Sequence, residues 1–249
     1  MPFRDFFSDN ANLYAQARPS YPAALFDYLA ELAPGHHLAW DCATGNGQAA
    51  VALAAHFERV VATDASQSQL DQATPHERVD FLAEPAEATS LASASVDLVT
   101  VATAVHWFDF DRFFHEVRRV AKPGGVLAVW TYRIPTVRPD IDLILNTYGD
   151  DTLAGYWPPR IRFINERYRT LPFPFEEIRP PKFTIEEDWD LPHLVGLLRS
   201  WSGTARYIDQ TGENPLSPLV LQLKSAWGDP DLKRTVTWQL YMRVGRVTP

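Results

Sequence analysis

Cysteine, basic charge and long apolar runs are all scarce in this chain. One cysteine, Cys42, stands among 249 residues, so an internal disulfide is excluded, and without clustered histidines it is poor material for a metal site. It reads as a small apolar residue at a strand end, and no metal is expected. No apolar run approaches the ~20 residues that span a bilayer. The residues Phe3-Arg4-Asp5-Phe6-Phe7 lack the basic and apolar regions of a secretory leader, and the expected location is the cytoplasm. Lysine and arginine number 23 against 31 acidic residues, a net charge of -8. That balance offers no broad positive field to a polyanion, so nucleic acid and membrane surfaces are not expected partners and small molecules are. Internal repeats and charged tails are also absent.

What is present, from residue 20 to about 132, is an alternation of helical and strand patterns, the mark of βαβ units and a mostly parallel sheet. Strands are expected at about 37–41, 59–63, 79–82, 96–101 and 126–132. A helix stripe of Leu25, Leu29 and Leu32 precedes the first strand and stops at Pro34-Gly35. Ser66 with Gln69 resembles a capping box. Asp109 can cap a helix carrying Phe110, Phe113, Phe114, Val117 and Val120, which Lys122-Pro123-Gly124-Gly125 should end. Beyond Tyr132, prolines and tryptophans become dense and the alternation fades, which reads as a cap. Strand signals return at Lys182–Ile185 and at Thr235–Met242, where Val236, Trp238, Leu240 and Met242 alternate with polar neighbours. An antiparallel edge pair is their simplest use.

The most informative stretch is Asp41-Cys42-Ala43-Thr44-Gly45-Asn46-Gly47-Gln48, set between an apolar run and an Ala-rich helix. Glycine at 45 and 47 permits left-handed backbone and close approach to a ligand. From Gly45 the run fits the dinucleotide fingerprint G-x-G-x-x-A, with Asp64 about 20 residues on. From Asp41 it fits an S-adenosylmethionine-binding turn, with Asp64 placed to bind ribose hydroxyls. Both readings place an adenosine moiety here, and the residues of the turn leave the choice open. A nicotinamide-dependent oxidoreductase and a nucleoside-binding protein without turnover are the alternatives, although no Tyr-x-x-x-Lys pair occurs to carry hydride chemistry.

Taken with Ala86-Glu87, with His106-Trp107-Phe108-Asp109 after the fourth strand and with Lys122-Pro123-Gly124-Gly125, this turn resembles the class I S-adenosylmethionine-dependent methyltransferases, in particular the branch similar to trans-aconitate methyltransferase. The similarity takes in Tyr14, Arg18-Pro19-Ser20-Tyr21-Pro22, Ser200-Trp201-Ser202 and Ala226-Trp227-Gly228, and so nearly the whole chain. One departure is Ala43, where the family's first glycine usually stands; its methyl is tolerated if φ there is negative.

The resemblance implies an α/β fold: a Rossmann-like, mostly parallel seven-stranded sheet with an antiparallel edge strand, plus a helical cap from the C-terminal half. One domain is expected over 1–249, with N-terminal helices in 1–35, a cofactor-binding core in 36–132, a substrate cap in 133–234 and a final edge strand in 235–249. It also implies that Asp41, Ala43, Gly45 and Gly47 cradle S-adenosylmethionine and that Asp64 takes the ribose. Ala86 and Glu87 would then lie beside the adenine and Thr103 by the methionyl portion, with Tyr14 and Arg18 at the amino-acid end. The implied activity is methyl transfer to a small molecule, plausibly a carboxylic acid. His106 is the candidate base or hydrogen-bond partner, since it follows a strand at the sheet edge where α/β proteins bind ligands. Trp107, Trp157 and Trp201 are candidate walls for the acceptor. Arg133, Arg160 and Arg206 are candidate cations for an acidic one.

Overall fold

The computed structural model describes residues 18–248; Tyr14 lies outside them. In chain order the elements are helix α1 (Ala23–Leu32), β1 (Leu38–Cys42), α2 (Gln48–Leu53), β2 (Arg59–Asp64), α3 (Gln67–Leu70), β3 (Val79–Ala83), β4 (Val96–Ala102), α4 (Phe110–Val120), β5 (Ala121–Thr131), α5 (Pro139–Asn146), α6 (Arg162–Asn165), β6 (Glu176–Ile178), β7 (Thr184–Trp189), α7 (Leu191–Ser200), α8 (Ser202–Thr211), α9 (Leu216–Trp227), β8 (Arg234–Gln239) and β9 (Tyr241–Arg246). They fall into two compact units. The first takes Ser20–Tyr132, Phe163–Phe183 and the chain from Leu240; the second takes Arg133–Arg162 and Thr184–Gln239, with Arg18 and Pro19.

The first unit is built on a seven-stranded sheet in the order β3-β2-β1-β4-β5-β9-β6. β1 to β5 run parallel, and β9 runs antiparallel to both β5 and β6. The antiparallel strand expected at the sheet's end is therefore present, with the three-residue β6 added outside it. β4 is apolar and buried almost throughout, as a central parallel strand covered on both faces must be. Trp40, Val99, Phe113, Val117 and Leu127 pack into its core. Helix α1 buries Leu25 and Leu29 of the stripe read from the sequence, together with Phe26 and Ala30, while Leu32 is half-buried.

Helix α4 opens as expected: Asp109 sits at its N-cap and accepts from the Arg112 amide, a contact that stabilises a helix by about 1 kcal/mol. Ser66 occupies the N-cap of α3, but its hydroxyl meets Ser68 at 2.9 Å and closes no capping box. The fifth strand departs from its expected start. It begins at Ala121, and Lys122-Pro123-Gly124-Gly125 is a bulge within it, because the pairing passes from Val96 with Ala121 directly to Leu98 with Val126. The bulge brings Lys122 Nζ to 2.7 Å from the buried carboxylate of Asp97, which also accepts the amides of His37 and Leu38. A buried acid in a central strand is thereby satisfied on both oxygens.

The second unit holds α5, α7, α8 and α9 with a two-stranded antiparallel sheet of β7 and β8. The expected late edge pair forms, but as this separate sheet. The run read as one strand over Thr235–Met242 is two: β8 ends at Gln239, the Leu240 amide donates to Phe183 O, and β9 continues in the large sheet. After α5 the chain widens into a π-turn, Thr147–Thr152. No described helix is long and apolar enough to cross a membrane.

Candidate active site

The strand order reverses direction between β1 and β4, so the carboxyl ends of β2, β1 and β4 converge where open α/β sheets bind ligands. Asp41, at the end of β1, is buried, and Oδ1 accepts from Thr100 at 2.7 Å and Oδ2 from Thr44 at 2.5 Å. Burial pushes its pKa up to about 6 against these two hydrogen bonds, with Asp64 adding to the rise. Asp64 ends β2; its Oδ2 accepts the Gly45 amide and its Oδ1 the Ser66 amide, each at 2.9 Å. The turn between β1 and α2 is thus tied to the end of β2.

The turn alternates left-handed residues: Ala43 at φ 54°, Gly45 at 59° and Gly47 at 85°. A side chain at Gly47 would also strike the Phe81 ring, its Cβ lying 2.8 Å from the nearest ring atom, so α2 is seated against β3 by a missing methyl. Ala43 corrects the expectation. Its φ is positive, so the alanine carries a steric cost of about 1–2 kcal/mol that glycine would not. Thr103, after β4, is also left-handed, at φ 55°, a conformation that is an outlier for a β-branched residue. Its amide donates to Trp130 O at 2.8 Å, and its hydroxyl lies 3.5 Å from that of Tyr21. Strain of this kind collects at ligand sites.

Ala86 is buried in the core cluster, and Glu87 Oε1 accepts the amide of Asp109 at the start of α4. Cys42 carries a thiol pushed well above its usual pKa, first by burial and then by the charges of Asp41, Asp64 and Glu87. Three acids therefore surround the end of β1. His106, on a single 3₁₀ turn (Val105–Trp107), is 1% exposed, with Nδ1 3.0 Å from the hydroxyl of Tyr168. Trp107 is half-buried, its ring centroid 4.7 Å from that of His106. Tyr168 escaped sequence reasoning because 62 residues separate it from its partner.

The first unit thus holds Asp41, Ala43, Gly45, Gly47, Asp64, Ala86, Glu87, Thr103, His106 and Trp107. Arg18, Arg133, Trp157, Arg160, Trp201 and Arg206 belong to the second. There, Trp157 and Trp201 meet at 5.6 Å between centroids, Trp201 stacks near Tyr148, and Trp157 Nε1 donates to Gly149 O at 2.7 Å. Gly203 makes room for this cluster, since a Cβ there would lie 3.0 Å from the Trp157 ring. Arg133 pairs through one terminal nitrogen with Asp150 at 3.0 Å, while its Nε is buried without a hydrogen-bond partner among the described residues. Arg160 is exposed and Arg206 is half-buried on α8. Among the described residues no cluster of metal-ligating side chains occurs.

The family model of the methyltransferase domain matches residues 40–129, from β1 through β5. A solved structure from Anaeromyxobacter dehalogenans, described as that of a type II methyltransferase, is 45% identical over 93% of this chain and 99% of that one, with a TM-score of 0.87. The chain belongs to the class I S-adenosylmethionine-dependent methyltransferases. A Dictyostelium discoideum protein assigned as a methyltransferase is 29% identical across 92% of this methyltransferase and 89% of its own length. A Saccharomyces cerevisiae protein assigned as S-adenosylmethionine-dependent is 31% identical over 54% of this chain and 49% of its own.

The site of this methyltransferase fits its cofactor on physical grounds. S-adenosylmethionine carries a sulfonium and an ammonium, and an acidic rim of Asp41, Asp64 and Glu87 favours them. The 45% identity to a solved methyltransferase structure over 93% of the chain sets aside the oxidoreductase reading left open by the turn.

Proposed function

We propose that this methyltransferase methylates a small carboxylic acid, giving a methyl ester, and that it stands near the trans-aconitate branch of the family. The observation that supports an already ionised acceptor is the character of the groups around His106. The imidazole is buried and bonded on Nδ1 to a phenol, and Asp41 is occupied by Thr44 and Thr100. Such a site is better suited to orienting a nucleophile than to removing a proton from one, and methyl transfer gains mainly from orientation and exclusion of water.

When bound, S-adenosylmethionine supplies a sulfonium methyl, whose carbon–sulfur bond breaks with its electron pair kept by sulfur as the acceptor oxygen bonds the carbon. In this reading Asp64 accepts from the ribose hydroxyls, Ala86 and Glu87 flank the adenine, and the backbone at Asp41, Ala43, Gly45 and Gly47 approaches the nucleoside closely. Thr103 borders the methionyl portion, with Tyr14 and Arg18 at its carboxylate, where a guanidinium suits the charge. His106 orients the acceptor. Trp107, Trp157 and Trp201 supply apolar contact to it, and Arg133 and Arg206 are the candidate cations for its charge, Arg133 with a buried Nε that has no hydrogen-bond partner among the described residues. The enzyme works in the cytoplasm on small molecules and on neither nucleic acid nor membrane.

Mass-spectrometric screening of small acids and phenols with enzyme and S-adenosylmethionine tests the proposal. A gain of one methyl on carboxylic acids, lost again on mild alkaline hydrolysis of the ester, is expected. Methylation confined to phenols or amines would overturn the carboxylate assignment.

A further inference from the structure

One guanidinium of the second unit is only partly bonded. Arg133 stands two positions beyond the last residue of β5, a reach of at most about 7 Å of chain, and the Thr103 amide is tied to the end of that strand through Trp130 O. The arginine therefore leaves the sheet at its ligand edge. Among the described residues its side chain makes one hydrogen bond, from Nη2 to Asp150 Oδ1 at 3.0 Å, and its Nε is buried without a partner. Asp150 comes from the π-turn Thr147–Thr152, where the Leu153 amide donates to Tyr148 O, five residues back. Turns of this width are rare and gather at functional sites. Gly149 lets the turn approach closely, since a Cβ there would lie 2.5 Å from Ile134 Cδ1 and 3.5 Å from the Trp201 ring. The same few residues thus hold Arg133, support Ile134 and Trp201, and accept the Trp157 indole on Gly149 O.

The two sides of this pair are unequally satisfied. The Asp150 side chain is 48% exposed and that of Arg133 25%, so the pair is a partly hydrated one that contributes little, and Asp150 regains water readily when released. The Nε proton has no such recourse: a buried donor without an acceptor keeps its full desolvation cost, and native proteins leave few of them. A guanidinium presents Nε and a terminal nitrogen as a fork that a carboxylate meets with both oxygens, and Asp150 meets one point of it. A ligand carboxylate on Nε and Nη2 together exchanges a half-exposed contact for a two-point one and gives the buried proton its acceptor. We propose that Asp150 is a resident counter-ion of Arg133 that an entering carboxylate displaces, and that the ligand is a carboxylic acid whose aromatic body packs on the half-buried rings of Trp157 and Trp201. With Asp150 in place Nε is closed to solvent, so binding proceeds by exchange and the acid opposes it. That this ligand is the methyl acceptor rests on the reading given under Proposed function.

Phenylacetate and its neutral isostere phenylacetamide, titrated by calorimetry into enzyme loaded with S-adenosylhomocysteine, test the exchange, with affinity for S-adenosylhomocysteine as the check on folding. Asp150→Asn and Asp150→Ala are expected to bind phenylacetate about two- to fivefold more tightly than wild type, the range that an exposed pair commands. Arg133→Lys keeps the charge without the fork, and its affinity is expected to fall about tenfold, the loss of one charged hydrogen bond. Phenylacetamide should not distinguish the Asp150 variants from wild type. In nitrogen–proton spectra of the arginine side chains, the Arg133 Nε signal, identified by its loss in Arg133→Lys, should move downfield as phenylacetate is added. Weaker phenylacetate binding by the Asp150 variants would make the acid an orienting group and overturn the proposal. A stationary Arg133 Nε signal, or no saturable binding by wild type and variants alike, would overturn it too. None of these measurements needs turnover. Tighter binding by the Asp150 variants in a protein that esterifies no acid would sink the acceptor reading and leave the exchange standing, whereas ester formation with equal affinities across the Asp150 series would do the reverse.

Discussion

Burial holds the Asp41 carboxyl up to about 6, so its charge changes within a range that solution experiments reach easily. Its folded pKa is raised, so the stability it contributes is complete below the ordinary aspartate pKa and is lost as pH rises through about 6. Binding of a cationic ligand has the opposite sign, because the ionised carboxylate attracts it. Affinity for S-adenosylmethionine is therefore expected to fall by up to about tenfold per pH unit below about 6, and titration calorimetry of Asp41→Asn should show a flatter profile. A wild-type affinity level between pH 5 and 7.5 would separate Asp41 from the ligand. Asp64 makes the sharper test of the ribose assignment. Asp64→Ala is expected to weaken S-adenosylhomocysteine binding by about 1–3 kcal/mol, the cost of hydroxyls left without partners, and unchanged affinity would mean the ribose lies elsewhere.

Among the elements, α4 is fastened to the loop before β4 by a buried carboxylate. Glu116 accepts both the amide and the hydroxyl of Thr89 at 2.7 Å, and Arg119 pairs with it while reaching Leu91 O. The Arg119 bond, assisted by Thr89, lowers Glu116 to about 2. A depressed acid contributes stability that is complete above its unfolded pKa and is lost as pH falls through the folded one. Acid unfolding monitored by circular dichroism should steepen between about pH 4.5 and about 2, and Glu116→Gln should be less stable at neutral pH and flatter across that interval. Elements of this kind mark how far the sequence could be read. Local chemistry was legible: the five parallel strands, the Asp109 cap, the left-handed glycines at 45 and 47 and the acid ending β2 each carry their cause within a few residues. Contacts between distant residues were not. Nothing near Lys122 announces Asp97, nothing near His106 announces Tyr168, and the alternation across Leu240 is unbroken because a strand that changes partners keeps its pleat.

For the whole molecule, the charge of -8 predicts indifference to polyanions. Mobility-shift assays with single- and double-stranded nucleic acid are expected to show no retention at about 50 mM salt, where phosphate contacts are strongest. A salt-sensitive complex would move the acceptor from small acids to polynucleotides. The order of the large sheet carries a consequence of another kind. β9 is flanked on both sides, by β5 and β6, yet it follows all the other strands of that sheet along the chain. A nascent chain still on the ribosome can join β1 to β5 early, but β6 has nothing to join until β9 emerges to lie beside it. A product stopped short of residue 240 would thus keep the whole nucleoside turn and still present β5 as a raw edge, open to pairing with another copy in the same plight.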